Sequence, residues 1–494
     1  MTRSSTDIVL GVNALNHDAS LALIKTGEVD EILFAAHAER YSRIKNDSQL
    51  NREIVEDMLR YGKPSAIYWQ DKPVKKALRR LYSGERPLFD PVKKHLSSVG
   101  LGDLPVIYTH HHRAHAAMGY YTSKYDDAIV LVMDAIGEWD CTSVWLAKGN
   151  ELTPKHSIGY PHSLGLFYSA ITQAVGLKPN EEEYILMGMA AYGNPNRHDR
   201  EIVDDLFEVF DPPRMVLKQN LHKGLGDYIQ RKGWDLMDVA AAAQKIAETY
   251  ILVLARWAQR TYHSRNLILV GGVALNCVAN GKIAQHGWYD RIWVPPNPGD
   301  SGLSLGAVAA HRNNKMRFDN AYLGHGIQRD LDIKGMIKQL SKGKVIGIAN
   351  GRAEFGPRAL GNRSLLADPR GPDVKDRVNA IKKRQEFRPF APVVLAEHAH
   401  DLFDNVRNNQ EYMQWTNKCM RPDLYPAICH VDDTSRIQTV PDNGSNIRRA
   451  LEAWHDETGC PMLLNTSLNV KGEPLVNTWE DAERFSKLNG IEVF

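Results

Sequence analysis

The chain has 494 residues, of which 43% are hydrophobic and 24% are charged, and its formal net charge is +2. This composition is ordinary for a soluble globular protein and excludes a predominantly disordered chain. One hydrophobic core rarely extends beyond ~250–300 residues, so the length predicts two domains. No stretch approaches the ~20 apolar residues of a membrane span, and the first residues lack the apolar region of a secretion signal.

The cysteines are scattered along the chain, at Cys141, Cys277, Cys419, Cys429 and Cys460. Their number is odd and none forms a CxxC pair, which favours reduced thiols over a disulfide framework. We therefore expect a cytoplasmic protein without a membrane partner.

Two segments repeat one pattern. "IVLGVNALNHDASLALIKTGE", from Ile8, and "IVLVMDAIGEWDCTSVWLAKGNE", from Ile129, each contain an apolar run, a polar turn and an alternating second run. This pattern predicts a pair of strands in each segment. Asn13 and Asp134 then stand at turns where backbone amides can hold phosphate or metal. Duplicated strand pairs followed by helices are typical of the actin-like fold, which binds nucleotide between its two halves.

Between the repeats lies a basic segment, "KPVKKALRRLYSGERPLFDPVKK", from Lys72 to Lys94. It carries eight Lys or Arg against Glu85 and Asp90. The cations at 72, 75, 76, 79 and 80 fall at helical spacing and predict one basic helix face. Two interpretations stay open, a solvated helix face and a surface for a polyanion.

The segment "THHHRAHAAMGYY", residues 109–121, contains four histidines. His111 and His115 are four residues apart, so on a helix both rings project from one face. Carboxylates at the predicted turns, Asp134 and Asp300, would complete a set of nitrogen and oxygen ligands that suits iron, manganese or zinc. The alternative is that His110 to His112 are partly exposed and His115 is a core residue.

Two later segments each predict a strand or turn followed by a helix. "NLILVGGVALNCVANGKIA" places Gly271 and Gly272 between a buried strand and a helix, where backbone can approach an anionic ligand. "PPNPGDSGLSLGAVAA", residues 295–310, places Asp300 at a predicted helix cap. Both patterns also occur in scaffolds that bind no ligand.

From residue 344 onward arginine becomes dense beside glycine and proline. The arginines within 37 residues are Arg352, Arg358, Arg363, Arg370, Arg377, Arg384 and Arg388. The change in composition predicts a domain boundary near residues 320–345.

Nine motifs occur in the order of one known family. They are "NHDASLAL" at Asn16, "HHRAHAA" at His111, "MDAIGEW" at Met133, "MGMAAYG" at Met187, "GGVALNC" at Gly271, "PGDSGLSLGA" at Pro298, "FGPRALGNRSLLADPR", "KKRQEFRPFAP" and "LLNTSLNVKGEPLV". From about residue 8 to 485 the chain resembles the O-carbamoyltransferase family of nodulation protein U and the TobZ-like antibiotic carbamoyltransferases.

The resemblance implies an α/β protein with two domains. Residues 1–335 would form a duplicated actin-like domain that transfers carbamoyl, and residues 336–494 a YrdC-like domain that forms carbamoyl adenylate. The second domain would use carbamoyl phosphate and ATP as co-substrates and release pyrophosphate. The first would pass the carbamoyl group to an acceptor hydroxyl.

The resemblance also implies roles for particular residues. His111, His115, Asp134 and Asp300 would hold iron or another divalent metal, with Mg²⁺ as a further option. His17 would be the general base for the acceptor hydroxyl, oriented by Asp18. Lys382, Arg384 and Arg388 would contact phosphates during activation. The predicted contacts with nucleotide or carbamoyl phosphate are Gly137, Gly271, Gly272, Asn276, Arg358, Arg363, Ser467 and Asn469.

The acceptor stays open. Family members act on hydroxyls of antibiotics and of lipo-oligosaccharides and, in some phage proteins, on hydroxymethylated cytosine in DNA. We therefore consider both a small glycoside or other natural product and 5-hydroxymethylcytosine in DNA or a nucleotide. The basic segment at 72–94 would favour the latter through counterion release. Whether the protein is a homodimer is also open.

Two other functions compete with this one. An actin-fold nucleotide-binding kinase or regulator would leave the C-terminal arginines and the Ser467-x-Asn469 motif unexplained. A tRNA threonylcarbamoyl-transferase would not need a fused domain that makes an adenylate. Three positions depart from the family pattern, with Ile185 in place of a lysine, His37 in place of an acid and Ala135 in place of a glycine.

Overall fold

The computed structural model describes residues 7–86, 91–407 and 410–494, and these form two compact units. Unit 1 contains the chain up to Ala35 together with Ser48–Asp319, and unit 2 contains Ala36–Asp47 and Asn320–Phe494. The division falls between Asp319 and Asn320, earlier than the predicted 335/336 boundary. The reason is that strand Tyr322–Ile327 pairs with strand Gly351–Glu354 of unit 2. The sequence pattern also gave no sign that residues 36–47 join unit 2.

Unit 1 contains the first thirteen strands, with the end of the third reaching into unit 2. They are β1 (Ile8–Asn13), β2 (Ser20–Lys25), β3 (Asp30–His37), β4 (Ile67–Trp69), β5 (Val106–Tyr108), β6 (Asp127–Met133), β7 (Asp140–Lys148), β8 (Glu151–Gly159), β9 (Phe207–Asp211), β10 (Arg214–Leu217), β11 (Asn266–Val270), β12 (Arg291–Trp293) and β13 (Met316–Arg317).

The two large sheets of unit 1 have the same strand order. One runs β3-β2-β1-β4-β5, with β13 beside β3, and the other runs β8-β7-β6-β11-β12. In each, the first strand pairs antiparallel with the strand that follows it, β2 or β7, and parallel with a later strand, β4 or β11. The predicted duplication of strand pairs is confirmed.

The central strands of both sheets are almost wholly apolar and buried. Every residue of β11 is buried, as is every residue of β6 after its first. Strands buried on both faces are typical of parallel α/β sheets covered by helices. The carboxyl ends of β6 and β11 are therefore fixed by packing on both faces, which holds the loops that follow these strands in place.

Twelve helices lie within the described residues up to Asp319. They are α1 (Glu39–Ser42, in unit 2), α2 (Arg52–Leu59), α3 (Pro73–Tyr82), α4 (Pro91–Ser98), α5 (His111–Tyr121), α6 (Leu164–Ala174), α7 (Glu183–Met189), α8 (Asp199–Leu206), α9 (Tyr228–Lys232), α10 (Leu236–Tyr262), α11 (Cys277–Gln285) and α12 (Leu303–Arg312). Short 3-10 turns cover Ala190–Tyr192, Leu221–Lys223, Gly272–Leu275 and Asp300–Gly302.

Helices α5 and α12 pack against each other and against the central strands of the two sheets. Helix α5 contacts β6 and β11, and α12 contacts β1 and β2. Gly306 permits the approach, since a Cβ there would lie 2.2 Å from the backbone oxygen of Ala114. Gly11 of β1 likewise leaves no room for a side chain beside Ser304. The two helices are therefore held at a backbone-to-backbone distance that only glycine allows.

Unit 2 contains one main mixed sheet and two pairs of short strands. Its strands are β14 (Tyr322–Ile327), β15 (Ile346–Ala349), β16 (Gly351–Glu354), β17 (Arg363–Ala367), β18 (Ala391–Leu395), β19 (Asn417–Lys418), β20 (Thr434–Ser435), β21 (Gln438–Val440) and β22 (Met462–Ser467). Its further helices are α13 (Ile333–Leu340), α14 (Val374–Lys382), α15 (Ala399–Leu402), α16 (Asn446–Thr458) and α17 (Trp479–Asn489), with 3-10 turns at Ala396–His398 and Pro426–Ile428.

The main sheet of unit 2 has the order β15-β17-β22-β18-β21. Only the β18–β21 pair is parallel, and the others are antiparallel. Its apolar side chains form one core with α13, α16 and α17, in which Trp454 and Phe485 are among the largest members. All the cysteines of the chain are free and buried. Among the helices of the described residues, none has the length and apolar character needed to cross a bilayer.

We expect Gly306→Ala to lower the free energy of unfolding by about 1–3 kcal/mol, since the added methyl group overpacks the α5–α12 contact. Chemical denaturation of both variants measures the difference. Gly159→Ala is the control, because its Cβ would meet only the Trp139 oxygen at an ordinary 3.6 Å. Equal losses of stability in the two variants would contradict the close packing at Gly306.

Candidate active site

Two histidines and two aspartates meet in a buried cluster of unit 1. His111 and His115 lie in the first turns of α5, Asp134 directly follows β6, and Asp300 begins the 3-10 turn before α12. His111 Nε2 is 3.3 Å from Asp134 Oδ2 and 3.4 Å from Asp300 Oδ1. His115 Nε2 is 3.3 Å from Asp300 Oδ1. One donor atom from each residue lies within 4.8 Å of all the others.

Hydrogen bonds between loops position the two carboxylates. Asp134 Oδ1 accepts from the amide of Gly272 at 3.3 Å. The neighbouring Gly271, at φ +90°, donates its N–H to Pro298, two residues before Asp300. On the other side, Ser20 Oγ donates to the Ser301 carbonyl at 2.6 Å.

The predicted role of Asp300 as a helix cap is wrong. Asp300 is the first residue of its 3-10 turn and makes no side-chain cap bond, since Gly299 holds the cap position. Its carboxylate is directed toward the histidines instead. The capping prediction failed because a short 3-10 turn separates Asp300 from helix α12.

The cluster has the properties of a cation site. Both ring nitrogens of His115 and Oδ1 of Asp300 make no hydrogen bond, although all three atoms are buried. Buried polar atoms are normally paired, so a bound cation would engage His115 Nε2, which faces the cluster, and Asp300 Oδ1. The donors are nitrogen and oxygen without thiolate, which suits a divalent first-row metal. The residues therefore fit the metal that the sequence predicts.

The charges within the cluster perturb its pKa values. Burial lowers the pKa of His111, but Asp300 and Asp134 outweigh burial and hold that pKa well above 6.5. Burial raises the pKa of Asp300, but His111 outweighs it and holds that pKa well below 3.8. Without a cation the cluster is therefore held together by a protonated histidine between two carboxylates.

His17 and Asp18 lie beside the cluster, as predicted for a catalytic pair. His17 Nδ1 is 3.1 Å from Asp18 Oδ2, and its Nε2 is 3.6 Å from Asp300 Oδ2. Asn13 Nδ2 donates to the Asp18 carbonyl at 2.9 Å and fixes the turn. With 46% of its side chain exposed, His17 is the solvent-facing member of the site.

The protonation state of His17 depends on its anionic neighbours. Desolvation lowers its pKa, but the hydrogen bond to Asp18 and the charge of Asp300 raise the pKa to about 10. Solvent at the exposed ring screens part of this effect. A protonated ring cannot accept a proton, so His17 can act as a base only when positive charge in the cluster offsets Asp300.

Glu138 is a site residue that the sequence interpretation missed. Its buried carboxylate accepts from the backbone N–H of Lys72 at 2.6 Å and lies 3.1 Å from His110 Nδ1. It therefore joins the loop after β6 to the starts of both α3 and α5. The signal was available in the quoted motif "MDAIGEW", where an acid follows Asp134 by four residues.

The predicted nucleotide contacts of unit 1 occupy structural positions. Gly137 lies against the rings of His111 and His112, and its N–H donates to Asp140. Asn276 caps α11 and exchanges two 3.0 Å hydrogen bonds with Gln244. Gly272 remains exposed beside Asp134.

In unit 2, the two predicted phosphate motifs meet. Lys382 Nζ, which is buried, donates to Ser467 Oγ at 2.9 Å and to the Asn469 carbonyl at 2.7 Å. Burial and the nearby cations Arg384, Arg388 and Lys45 lower the pKa of Lys382 well below 10.5. The excess of positive charge around one buried amine suits an anionic ligand.

The other predicted arginines differ in their surroundings. Arg384 donates from Nε to Asn379 at 2.8 Å and from Nη2 to the Pro389 carbonyl at 3.0 Å, and its guanidinium lies 3.9 Å from the Phe390 ring. These contacts fix its orientation beside Lys382. Arg388 is half-buried on the loop after α14, and Arg358 is half-buried on the loop between β16 and β17.

Arg363 does not have the surroundings predicted for a phosphate contact. Its side chain is fully buried in β17. Its guanidinium donates to the backbone oxygens of five residues, Asn477, Asn350, Gly351, Asn362 and His325. These bonds use its donors inside the fold, so we assign Arg363 a structural role.

The predicted basic helix face within residues 72–94 forms only in part, with Lys75 exposed and Lys72 half-buried. Lys76, Arg79 and Arg80 turn toward acidic partners, Asp71 for Lys76 and Glu85 for the two arginines. Asp90, which the prediction included, lies outside the described residues. Helical spacing correctly placed these cations on one helix, but Lys76, Arg79 and Arg80 are held by carboxylates of the same unit.

The departures from the family pattern also have local explanations. Ile185 is buried in α7, where an apolar residue fits. His37 is buried 5.0 Å from the Phe355 ring, and burial together with Arg40 lowers its pKa well below 6.5. The backbone of Ala135 lies directly against Gly165.

Two family profiles match long stretches of the chain. The profile described as Carbamoyltransferase N-terminus matches residues 92–309, and that described as Carbamoyltransferase C-terminus matches residues 337–494. The chain belongs to the carbamoyltransferase family. It is therefore an enzyme, a carbamoyltransferase, and its buried cluster lies within the N-terminal match.

Relatives of this carbamoyltransferase match along most of its length. An uncharacterised protein of Synechocystis is 35% identical over 96% of this chain and 93% of its own length. The nodulation protein NolNO of Sinorhizobium fredii is 31% identical over 95% of this chain and 76% of its own. The 3'-hydroxymethylcephem-O-carbamoyltransferase of Amycolatopsis lactamdurans is 28% identical over 77% of this chain and 78% of its own. Of these three names, that of the cephem relative states its reaction, an O-carbamoyl transfer.

Among solved structures, full-length HypF in its phosphate- and nucleotide-bound form aligns with a TM-score of 0.36 and 14% identity. It covers 62% of this chain and 56% of HypF.

We expect the purified carbamoyltransferase to bind one divalent cation per chain through the buried cluster, with affinity reduced at least ~10-fold in His111→Ala. Elemental analysis and titration of the metal-free protein measure content and affinity. His112→Gln is the control, because His112 lies on the same helix but is directed to Ser143 at 2.7 Å. Full metal content in His111→Ala would contradict the assignment.

We expect cation binding to release at least one proton near pH 7. The raised pKa of His111 keeps its ring protonated in the metal-free cluster, and a ligand ring must be neutral. Affinity should therefore rise with pH, by about tenfold per pH unit for each proton displaced. Calorimetry in two buffers of different ionisation enthalpy counts the protons, and an equal heat in both would contradict this account.

Proposed function

We propose that this chain is an ATP-dependent O-carbamoyltransferase that works in two steps, with unit 1 of the actin-like class and unit 2 of the YrdC-like class. In the first step carbamoyl phosphate loses phosphate to water, and the resulting carbamate displaces pyrophosphate from ATP to give carbamoyl adenylate. In the second step an acceptor hydroxyl takes the carbamoyl group and AMP leaves. The observation that carries the proposal is the buried His₂Asp₂ cluster with His17 exposed beside it.

Activation is assigned to unit 2 because of its cationic cluster. Lys382 lies against Ser467 and Asn469, with Arg384 and Arg388 on the loop that follows α14. Both co-substrates are polyanions, and fixed cations suit phosphate groups whose charge is redistributed during transfer. Ser467 and Asn469 add hydroxyl and amide groups to the same place.

Transfer is assigned to unit 1. A hydroxyl attacks a carbamoyl carbon poorly unless its proton is removed as the bond forms, and a positioned histidine contributes a factor of ~10²–10⁴. His17 is exposed to an acceptor, and Asp18 holds its other nitrogen. A cation held by His111, His115, Asp134 and Asp300 would supply positive charge for nucleotide phosphates. Iron is the metal we propose, with Mg²⁺ as a companion of ATP.

The acceptor we propose is a hydroxyl of a small natural product or glycoside. The cephem relative is named for such a small acceptor. The basic segment at 72–94 supplied the reason to consider 5-hydroxymethylcytosine in DNA or a nucleotide. Because Lys76, Arg79 and Arg80 are paired with carboxylates in the structure, that reason is weakened. Family membership likewise favours carbamoyl transfer over kinase, regulatory or threonylcarbamoyl-transfer activity.

We expect Arg388→Ala to abolish the release of pyrophosphate from ATP and carbamoyl phosphate when no acceptor is present. We expect His17→Asn to retain that release but to lose transfer by ~10²–10⁴. Pyrophosphate detection and mass spectrometry of the carbamoylated acceptor measure the two steps separately.

Lys383→Ala is the matched control for activation, since Lys383 is exposed between Lys382 and Arg384 and should leave both steps intact. An equal loss of both steps in His17→Asn would contradict its role as the base. Pyrophosphate release by Arg388→Ala at the wild-type rate would contradict the assignment of activation to unit 2.

A further inference from the structure

The segment 36–47 belongs to unit 2, although in the chain it lies between strands and helices of unit 1. Arg40, which is buried, fastens this segment by donating to the carbonyls of Glu354, at the end of β16, and of Gly356, in the loop that follows. A buried guanidinium needs acceptors for its N–H groups, and these carbonyls supply them. The segment is therefore an integral part of unit 2.

A second arginine holds the segment beside the predicted phosphate motif. Arg43 donates to the carbonyls of Pro474, at 3.0 Å, and of Leu475. The side chain of Asn469, a member of that motif, donates to the neighbouring Glu473 carbonyl at 2.6 Å. Arg43 and Asn469 therefore hold the same turn of the chain, and the segment 36–47 lies next to the activation residues proposed above.

The backbone on both sides of Lys45 is fixed by local hydrogen bonds. Arg43 and Asn46 are both left-handed, at φ +59° and +54°. The N–H of Arg43 donates to the carbonyl of Glu39 at 2.9 Å, and the N–H of Asn46 donates to the carboxylate of Glu39 at 2.9 Å. Left-handed backbone is costly for residues with a side chain and persists where the surrounding structure holds it. Lys45 therefore extends from a backbone of defined geometry.

The ammonium of Lys382 is already occupied by oxygens of the protein. It has three N–H donors, and it contacts four acceptors. These are the hydroxyl and carbonyl oxygens of Ser467, with the hydroxyl at 2.9 Å, and the carbonyl and side-chain oxygens of Asn469, with the carbonyl at 2.7 Å. A phosphate group bound beside Lys382 therefore needs hydrogen-bond donors from other residues.

Lys45 has donors available for such a group. It is half-buried, and within the described part of the chain it makes no hydrogen bond and no ion pair. Burial lowers the pKa of Lys382, and the charges of Arg384, Arg388 and Lys45 lower it further, so the charge of Lys45 acts on the same place. Positive charges held together repel one another, and an anion between them removes the repulsion.

We propose that Lys45 binds a phosphate group of a co-substrate in the activation site of unit 2, together with Arg384 and Arg388. The inference rests on the proposed formation of carbamoyl adenylate and adds to it a residue from the segment 36–47. The phosphate group belongs either to carbamoyl phosphate or to the part of ATP that leaves as pyrophosphate. In both cases the ammonium offers a positive charge to oxygens whose negative charge grows as the phosphate or pyrophosphate leaves.

The test measures the binding of two probes that lack adenosine, carbamoyl phosphate and inorganic pyrophosphate, by calorimetry on the full chain. We expect Lys45→Ala to weaken the binding of at least one probe by ~10-fold or more, because a charge-assisted hydrogen bond is lost. The weakened probe identifies the co-substrate whose phosphate Lys45 contacts. Lys45→Arg restores a cation and should bind within about threefold of the wild-type protein.

Lys487→Ala is the matched control, because Lys487 is an exposed lysine of unit 2 in α17, and it should bind both probes as the wild-type protein does. Thermal unfolding verifies that Lys45→Ala is folded. If it is not, Lys45→Met replaces it and keeps the apolar stem of the side chain.

Three results would overturn the proposal. The first is wild-type affinity of Lys45→Ala for both probes. The second is a wild-type protein that binds neither probe. The third is an equal loss of binding in Lys45→Ala and Lys487→Ala, which would assign the effect to the overall charge of the unit.

The proposed function is tested separately by pyrophosphate release from ATP and carbamoyl phosphate. A wild-type protein that binds a probe through Lys45 but releases no pyrophosphate would reject the proposed activation and leave the phosphate site in place. Normal release by the wild-type protein, with unchanged probe binding in Lys45→Ala, would retain the activation and reject the role of Lys45.

Discussion

The close contact between α5 and α12 is the constraint on which the site depends. Gly306 brings the backbone of α12 against Ala114, and these two helices carry or closely follow three of the four clustered residues. His111 and His115 are carried on α5, while Asp300 precedes α12 by one short turn. A longer separation between the helices would move Asp300 away from both rings. The duplicated sheets supply the remaining constraint, since β6 ends at Asp134 and β11 leads into the glycines that bond to it.

The electrostatics of the cluster connect metal binding with the chemistry of His17. Asp300 and Asp134 raise the pKa of His111, and the hydrogen bond to Asp18 together with the charge of Asp300 raises the pKa of His17, so the metal-free site holds protons where ligation and base catalysis require neutral rings. A cation in the cluster would offset Asp134 and Asp300, which favours a neutral His111 and lowers the pKa of His17. The charges of the cluster and of His17 therefore influence each other. The residues placed to bind a cation are His111, His115, Asp134 and Asp300, without His17. Asp18 and Asn13 keep His17 in place without joining the cluster.

Much of the site could be predicted from sequence because its spacing is local. His111 and His115 share a helix face by the 3.6-residue period, and Asp134 stands at a strand end that the repeat made visible. Lys382 meets Ser467 and Asn469 as the motif resemblance implied. What failed depends on tertiary packing. A helical wheel groups Lys76, Arg79 and Arg80 but cannot tell that Asp71 and Glu85 lie behind them. Arg363 resembled its neighbours in the arginine-rich segment, and only the fold shows backbone oxygens around it. Residues 36–47 join unit 2 through contacts such as those of Arg40 with Gly356, which no local pattern reports.

The central claim is that the buried cluster is a cation site at the point of carbamoyl transfer. Crystals grown with ferrous iron under anaerobic conditions, measured on both sides of the iron absorption edge, test it directly. The account predicts one anomalous peak within about 2.0–2.3 Å of His111 Nε2, His115 Nε2 and one oxygen each of Asp134 and Asp300. A peak bound by other residues, or no peak at this cluster in iron-saturated crystals, would contradict it.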